Sequence, residues 1–325
     1  MIVTVTPNPS VDRTLFLESL ARGEVVRAQW SCWEPSGKGV NVALALSAEG
    51  HRVKAIMPLG GPPGLAMRAM LDESGLDYCA VQIAGETRSN ISIVEPDGTV
   101  TKLNEPGPLL TEDEVGSLVT AAIGATADAQ WLVGSGSLPG GSGSDVYACL
   151  AREAKQRGIK TAIDTSGSAL KDMLPAGPDL VKPNSSELSE AVGMALRTLG
   201  DVIDACQDLR GRGAGTVLAS LGADGAVLVD ATGIHYAEAT PLVVVSSVGA
   251  GDAMLAGFLA NGGSGPMALH GAMQWAASAV RTEGTLYRRQ TAVAVSITSA
   301  IERKRVLSET MRGPTRIRRA DVYER

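Results

Sequence analysis

The chain has 325 residues, 44% of them hydrophobic, and a formal net charge of −6. That apolar share builds a large core, and the length suits one large domain with an appendage better than two well-separated ones. The acidic balance excludes a general affinity for nucleic acid or anionic membrane, so local basic residues are expected to serve local anions.

Residues 2–6 read as a first buried strand, ended by the turn Pro7-Asn8-Pro9-Ser10 with Asp12 close behind. The opening carries no charged leader, and no later stretch reaches about 18 residues without polar interruption, so a cytoplasmic protein is expected. Segments 11–17 and 24–33 alternate apolar and polar residues, as do 90–95 and 99–103 around the turn Pro96-Asp97-Gly98. Alternation of this kind suits half-exposed strands, so the four segments are read as a small separate sheet and the last two as a hairpin. Between them Gly37-Lys38-Gly39 opens a helix that runs to 49, followed by a strand over 53–59 and a helix over 64–73.

Thr111 and Glu114 form a capping box for a helix ending near 124. A strand over 130–134 leads into Ser135-Gly136-Ser137-Leu138-Pro139-Gly140-Gly141 and then a helix through 157. Strands over 159–164 and 179–182 flank a short helical piece. Next come Pro183-Asn184-Ser185-Ser186-Glu187, with Asn184 and Glu187 a turn apart at a helix start, a helix near 201–211 and a strand over 216–220. Repeated strand and helix imply an α/β fold, a doubly wound and mainly parallel sheet flanked by helices. Ligands of such sheets bind beyond the carboxyl ends of the strands, which gathers 7–12, 135–141, 164–168, 182–187, 220–225 and 246–252 on one rim.

The last of these carries the sharpest chemistry. Gly249-Ala250-Gly251-Asp252 stands between an apolar strand over 242–246 and an apolar helix over 252–260 that buries Met254, Leu255, Phe258 and Leu259. Glycines there let backbone N–H groups converge at the positive end of the helix, which makes a seat for an anion. An aspartate in an anion seat repels the ligand unless it has a task, and general base to a hydroxyl attacking phosphorus is such a task. The run is not a dinucleotide fingerprint, whose third glycine would fall at Met254, and the chain has no GxxxxGK[ST] loop. Cys32, Cys79, Cys149 and Cys206 stand singly and read as reduced thiols, mostly buried. His51, His235 and His270 build no metal or nucleophile pattern. Residues 306–325 carry Arg312, Arg316, Arg318, Arg319 and Arg325 with little periodicity and read as a poorly ordered basic tail.

With Gly37-Lys38-Gly39-Val40-Asn41, Ser135 to Pro139, Lys182-Pro183-Asn184-x-x-Glu187, Ser220-Leu221-Gly222-Ala223-Asp224-Gly225 and Gly249 to Asp252 in this order, residues 1–305 resemble the ribokinase-like PfkB carbohydrate kinases. Thr6-Pro7-Asn8-Pro9-Ser10-x-Asp12 and the GKG form point to the phosphosugar branch. The resemblance implies ATP as donor, Mg2+, and a monovalent cation as an optional further ligand. It makes Asp252 the base and gives the amides of Gly249, Ala250 and Gly251 the transferring phosphoryl group. Asp12 and Asn41 would bind sugar hydroxyls under the backbone of Gly37, Lys38 and Gly39, while Lys38, Arg88 and Ser137 are candidates for the substrate's own phosphate. Lys182, Asn184 and Glu187 would handle the nucleotide phosphates, Asn184 and Glu187 also the metal through water, and Ser220, Gly222 and Gly225 the nucleotide groove. The four-strand appendage, from about 11–33 and 88–104, corresponds to the family's lid, and a homodimer through it is implied. The expected reaction is phosphorylation of fructose 1-phosphate to fructose 1,6-bisphosphate. Tagatose 6-phosphate and fructose 6-phosphate are the alternatives, ahead of an unphosphorylated sugar or a silent sensor. Residues 281–285 stand at the expected adenine edge, where phosphosugar relatives often carry an asparagine. Taken singly, Asp12 can also be a turn aspartate, Arg88 a solvated charge and Glu187 a first-turn helix carboxylate.

Overall fold

The structure is a computed structural model and describes residues 1–240, 244–282 and 287–308. In chain order the first half runs β1 (Ile2–Val5), β2 (Ser10–Phe16), β3 (Trp30–Ser36), α1 (Lys38–Ala48), β4 (Val53–Leu59), α2 (Gly61–Ser74), β5 (Tyr78–Gln82), β6 (Arg88–Val94), β7 (Val100–Asn104) and α3 (Glu112–Gly124). The second half runs β8 (Trp131–Ser135), α4 (Val146–Gln156), β9 (Lys160–Asp164), α5 (Gly167–Met173), β10 (Leu180–Val181), α6 (Ser185–Val192), α7 (Leu199–Gly211), β11 (Thr216–Ser220), β12 (Ala226–Asp230), β13 (Gly233–Ala239), α8 (Ala250–Ala260), α9 (Gly265–Ala279) and β14 (Val295–Thr298).

One sheet has the order β14-β13-β12-β11-β10-β9-β8-β1-β4-β5. Pairing from β11 across to β5 is parallel, and β12, β13 and β14 extend it antiparallel. Side chains alternate between its faces. Ile2 joins Val40, Leu46, Leu255 and Phe258 on the side of α1 and α8, while Val3 and Val5 join Leu118, Tyr147 and Leu150 on the side of α3 and α4. The sheet is thus covered on both faces, as the alternation of elements implies. The smaller sheet has the order β3-β2-β6-β7.

Several boundaries differ from expectation. The strand expected over 24–33 is β3, shifted to Trp30–Ser36. Pairing stops where Gln29 N donates to Phe16 O, so 24–29 form a loop with Val25 85% exposed, and Pro35 is tolerated because β3 is an edge strand. Helix α2 starts at Gly61, since Pro62 and Pro63 sit in its first turn, where a missing N–H leaves nothing unsatisfied. Strands β5, β12, β13 and β14 were not foreseen. Of the strand expected over 242–246, residues 242 and 243 lie outside the described residues, and 244–246 are not strand. Val245 and Ser246 instead donate their N–H groups to Val280 O, at 2.7 and 3.2 Å, beside the end of α9. The tail expected from 306 is held at its start: Thr198 bridges Val306 and Leu307 N donates to Arg197 O. Residues 309–325 and 283–285 lie outside the described residues.

Helix α1 lies hard against β1. A Cβ on Gly39 would stand 2.9 Å from Val5 O, closer than packed atoms allow. Gly39→Ala is therefore expected to cost about 1–3 kcal/mol by forcing α1 off the sheet. A lowered thermal midpoint checks this, and an unchanged midpoint would show that the contact relaxes freely.

Candidate active site

The parallel strands β1, β8, β9, β10 and β11 end on one rim, and α8 begins there. Gly249 caps α8 with φ 76°, a left-handed conformation that glycine adopts without strain. Asp252, in the first turn, is only 6% exposed. Its Oδ2 accepts a hydrogen bond from Asn41 Nδ2 at 2.8 Å, which joins α1 to α8. Burial and the nearby Asp164 push the Asp252 carboxyl up to about 6, against the Asn41 bond and the charges of Lys38 and Lys182.

Asp164, at the end of β9, is fully buried between two ammonium groups. Lys38 Nζ is 2.9 Å from its Oδ1 and Lys182 Nζ 3.1 Å from its Oδ2. Burial opposes the charge of Asp164, but Lys182 and Lys38 outweigh burial and hold its carboxyl below the usual range. Lys38 Nζ also lies 3.3 Å from Glu187 Oε1. Burial alone would lower the Lys38 pKa, yet Asp164, Glu187 and Asp252 raise it, so the ammonium stays charged. Lys182 reaches the start of α8, where a Cβ on Gly251 would stand 3.2 Å from its Nζ.

Asn184 and Glu187 form the capping box of α6. Asn184 Oδ1 accepts from Glu187 N at 2.9 Å and Glu187 Oε2 accepts from Asn184 N at 2.8 Å. Glu187 is therefore a first-turn helix carboxylate and also a neighbour of Lys38. Beside it, Ser220 N donates to Pro183 O, and the following loop closes through Leu221 N to Gly225 O and Gly225 N to Gly222 O. Gly222 and Gly225 have φ of 60° and 87°.

Further expected residues lie on and beside the smaller sheet. Asp12 Oδ1 accepts from Ser10 Oγ at 2.7 Å and from Asn90 Nδ2 at 2.9 Å. Arg88 donates to Glu105 O and Asn8 O, and Asn8 Nδ2 donates to Ser137 Oγ at 3.3 Å. Gly37 packs on β1, where a Cβ would come 2.7 Å from Thr6 Cγ2. The structure therefore brings Asn41 to Asp252, Lys38 to Glu187, Glu187 to Asn184 and Asn184 to Ser220, and links Arg88 to Ser137 through Asn8, with one difference from expectation. The Lys38 ammonium lies with Asp164 and Glu187 rather than with Arg88 and Ser137.

Asp164, Asn8 and Asn90 were not singled out from sequence. A carboxylate at the carboxyl end of a core strand was the available signal for Asp164. Buried polar atoms without a hydrogen-bond partner concentrate here: Asn8 Oδ1, Asn41 Oδ1, Asn90 Oδ1, Arg88 Nε and Ser135 Oγ. Such atoms are costly unless something else completes them. Among the described residues no group of three or more His, Cys, Asp or Glu side chains is gathered to cage a metal. Mg2+ bound beside phosphates keeps several waters and needs only one or two carboxylates, so the oxygen donors of Asp164 and Glu187 fit it.

The family described as pfkB family carbohydrate kinase matches residues 8–291. This chain belongs to that family. As a pfkB carbohydrate kinase it is a phosphotransferase acting on a sugar hydroxyl. It is 42% identical to the 1-phosphofructokinase of Haloferax volcanii over 80% of this chain and 83% of that protein. Identity to the 1-phosphofructokinase of Rhodobacter capsulatus is 38%, over 79% and 82%. The structure of phosphofructokinase-2 from Escherichia coli in complex with potassium superposes with a TM-score of 0.83 at 31% identity, covering 89% of this chain and 95% of that one. Another structure of that enzyme is its tetrameric inhibited form. Among the described residues no helix is long and apolar enough to cross a membrane.

Lys182 is 3% exposed and has Asp164 as its counter-charge. Asp164→Asn is expected to destabilise the fold by about 3–5 kcal/mol, the usual cost of stranding a buried charge. Denaturant unfolding measures this, and an unchanged midpoint would mean that Lys182 is neutralised in another way.

Proposed function

We propose that the protein transfers the terminal phosphoryl group of ATP to the free primary hydroxyl of D-fructose 1-phosphate, giving fructose 1,6-bisphosphate. The observation that carries this reading is Asp252, a buried carboxylate at the start of α8 that donors and cations keep available as a base. A carboxyl near 6 is ionised at neutral pH and is more basic than an ordinary aspartate, which suits proton abstraction.

In this reading the sugar hydroxyl gives its proton to Asp252 as its oxygen attacks in line. The amides of Gly249, Ala250 and Gly251 hold the transferring group, and Lys182 adds positive charge beside them. Asp12, Asn41 and the backbone of Gly37 to Gly39 orient the sugar. Arg88 and Ser137 receive the phosphate already present. Lys38 acts mainly through Asp164 and Glu187, bracing the sugar loop against the nucleotide side. Ser220, Gly222 and Gly225 line the nucleotide groove. Asp164, Asn184 and Glu187 would hold Mg2+, largely through water. When bound, that ion supplies positive charge to the nucleotide phosphates. A monovalent cation is proposed as a further ligand from the likeness to the E. coli enzyme solved with potassium.

Fructose 1-phosphate is preferred because the two curated relatives, at 42% and 38% identity, are 1-phosphofructokinases. Phosphorylation of fructose 6-phosphate is the second reading, favoured by the likeness to phosphofructokinase-2. We place the protein in the cytoplasm, in keeping with Cys79, Cys149 and Cys206, which are in no disulfide. A homodimer through the lid is supported by Trp30 and Trp33, 49% and 50% exposed on β3.

Asp252→Asn should lower kcat by roughly 10²–10⁴-fold while ATP binding is kept, and normal turnover would remove the base assignment. Among ketose phosphates, kcat/KM should be highest for fructose 1-phosphate. A higher value for fructose 6-phosphate or tagatose 6-phosphate would overturn the substrate and leave the kinase standing.

A further inference from the structure

Behind the loop of Ser220 to Gly225 runs a short strap, residues 303–308, that the catalytic reading does not use. It is tied down at both ends. At one end the carbonyls of Arg303 and Arg305 accept from Gly200 N at 2.8 Å and Leu199 N at 3.0 Å. Those are among the first N–H groups of α7, which have no partner inside the helix. The approach needs glycine, since a Cβ on Gly200 would stand 2.9 Å from Arg303 O. At the other end Ser308 donates both its N–H, at 2.9 Å, and its hydroxyl, at 2.8 Å, to Asp224 Oδ2.

Asp224 belongs to the loop itself and is 9% exposed. Its carbonyl accepts from Tyr236 Oη at 2.8 Å, and the Arg305 guanidinium lies 5.2 Å from the centre of the Tyr236 ring. The loop is therefore held from two sides. In front, Ser220 N donates to Pro183 O and Ser220 bridges Asn184. Behind, the strap holds Asp224. A short glycine-containing loop keeps one shape only if its few fixed points are maintained, and here a point two residues from Gly222 is supplied by Ser308.

We propose that Ser308 is a positioning residue for nucleotide binding, acting through Asp224 on the Ser220–Gly225 loop. This rests on the reading that the loop lines the nucleotide groove. Touching neither substrate, Ser308 should affect ATP and leave the sugar phosphate untouched.

The test uses the full-length protein. Ser308→Ala should raise KM for ATP by roughly three- to tenfold, less than the full effect of losing a hydrogen bond to a charged group because the Ser308 N–H still holds Asp224, with kcat at saturating ATP and KM for fructose 1-phosphate unchanged. Ser308→Thr, which keeps the hydroxyl, should restore KM for ATP. Gly200→Ala, which pushes the strap from its other end, should reproduce the rise. Amide exchange of residues 220–225, measured in the wild type with and without ATP, separates the two levels of the proposal. If ATP protects the loop but neither variant changes KM for ATP, Ser308 has no positioning role and the nucleotide-loop reading stands. If ATP does not protect the loop, that reading fails and the proposal fails with it. Equal rises in KM for ATP and for fructose 1-phosphate would show general loosening and would also overturn it.

Discussion

Two buried carboxylates, Asp164 and Asp252, share one rim, and the site depends on keeping both charged. Either alone would be costly out of water. Lys38 and Lys182 lie directly on Asp164, while Asp252 has only the Asn41 amide and the more distant field of the same lysines. The two environments drive the groups apart: Asp164 below the usual carboxylate range and Asp252 up to about 6. In the proposed mechanism this separation makes Asp164 a fixed anion and Asp252 the proton acceptor. It also has opposite consequences for stability. The depressed Asp164 stabilises the fold above its unfolded value, and that stabilisation is lost as pH falls through its folded value. The raised Asp252 favours the fold in its protonated form, and that contribution fades as pH rises through about 6. The ionised state, which is the proposed base, is thus the less stable one.

Helix α1 carries both ends of this arrangement. Lys38 and Asn41 are one turn apart, and they reach Asp164 with Glu187 on one side and Asp252 on the other. The loop that opens α1, the proposed sugar loop, is therefore coupled mechanically to Asp252 and to the Asp164–Glu187 side. Glycine at 39 permits this by letting the helix sit on the end of β1. Glu187 has a double duty of the same kind, capping α6 with one oxygen and facing Lys38 with the other.

Much of this was legible in the residues. The apolar runs of β1, β4 and β11, the Thr111–Glu114 box and the Gly249 to Asp252 turn are local patterns, and local patterns survive folding. The edge of the large sheet was not legible. Strands β12 and β13 pair antiparallel beyond the repeating units, and β13 carries His235 and Glu238, so no apolar run marks it. The register of β3 was missed because alternation continues through 24–29, while pairing depends on the partner strand β2. The partner of Lys38 was missed for a similar reason. Its spacing placed it at the sugar loop, but a long side chain goes where the buried counter-charge is, and Asp164 lies 126 residues away.

In the proposed mechanism the basicity of Asp252 is set by burial and by Asn41. The most direct measurement is kcat/KM for fructose 1-phosphate against pH, in the wild type and in Asn41→Ala. The wild type should lose rate below about pH 6. Phosphate monoesters also ionise at about 6, so the comparison between the two proteins decides. Removing a hydrogen bond that favours the ionised carboxyl should move the acid limb of the variant to higher pH. An acid limb at the same pH in both proteins would mean that Asp252 is not the base held by Asn41.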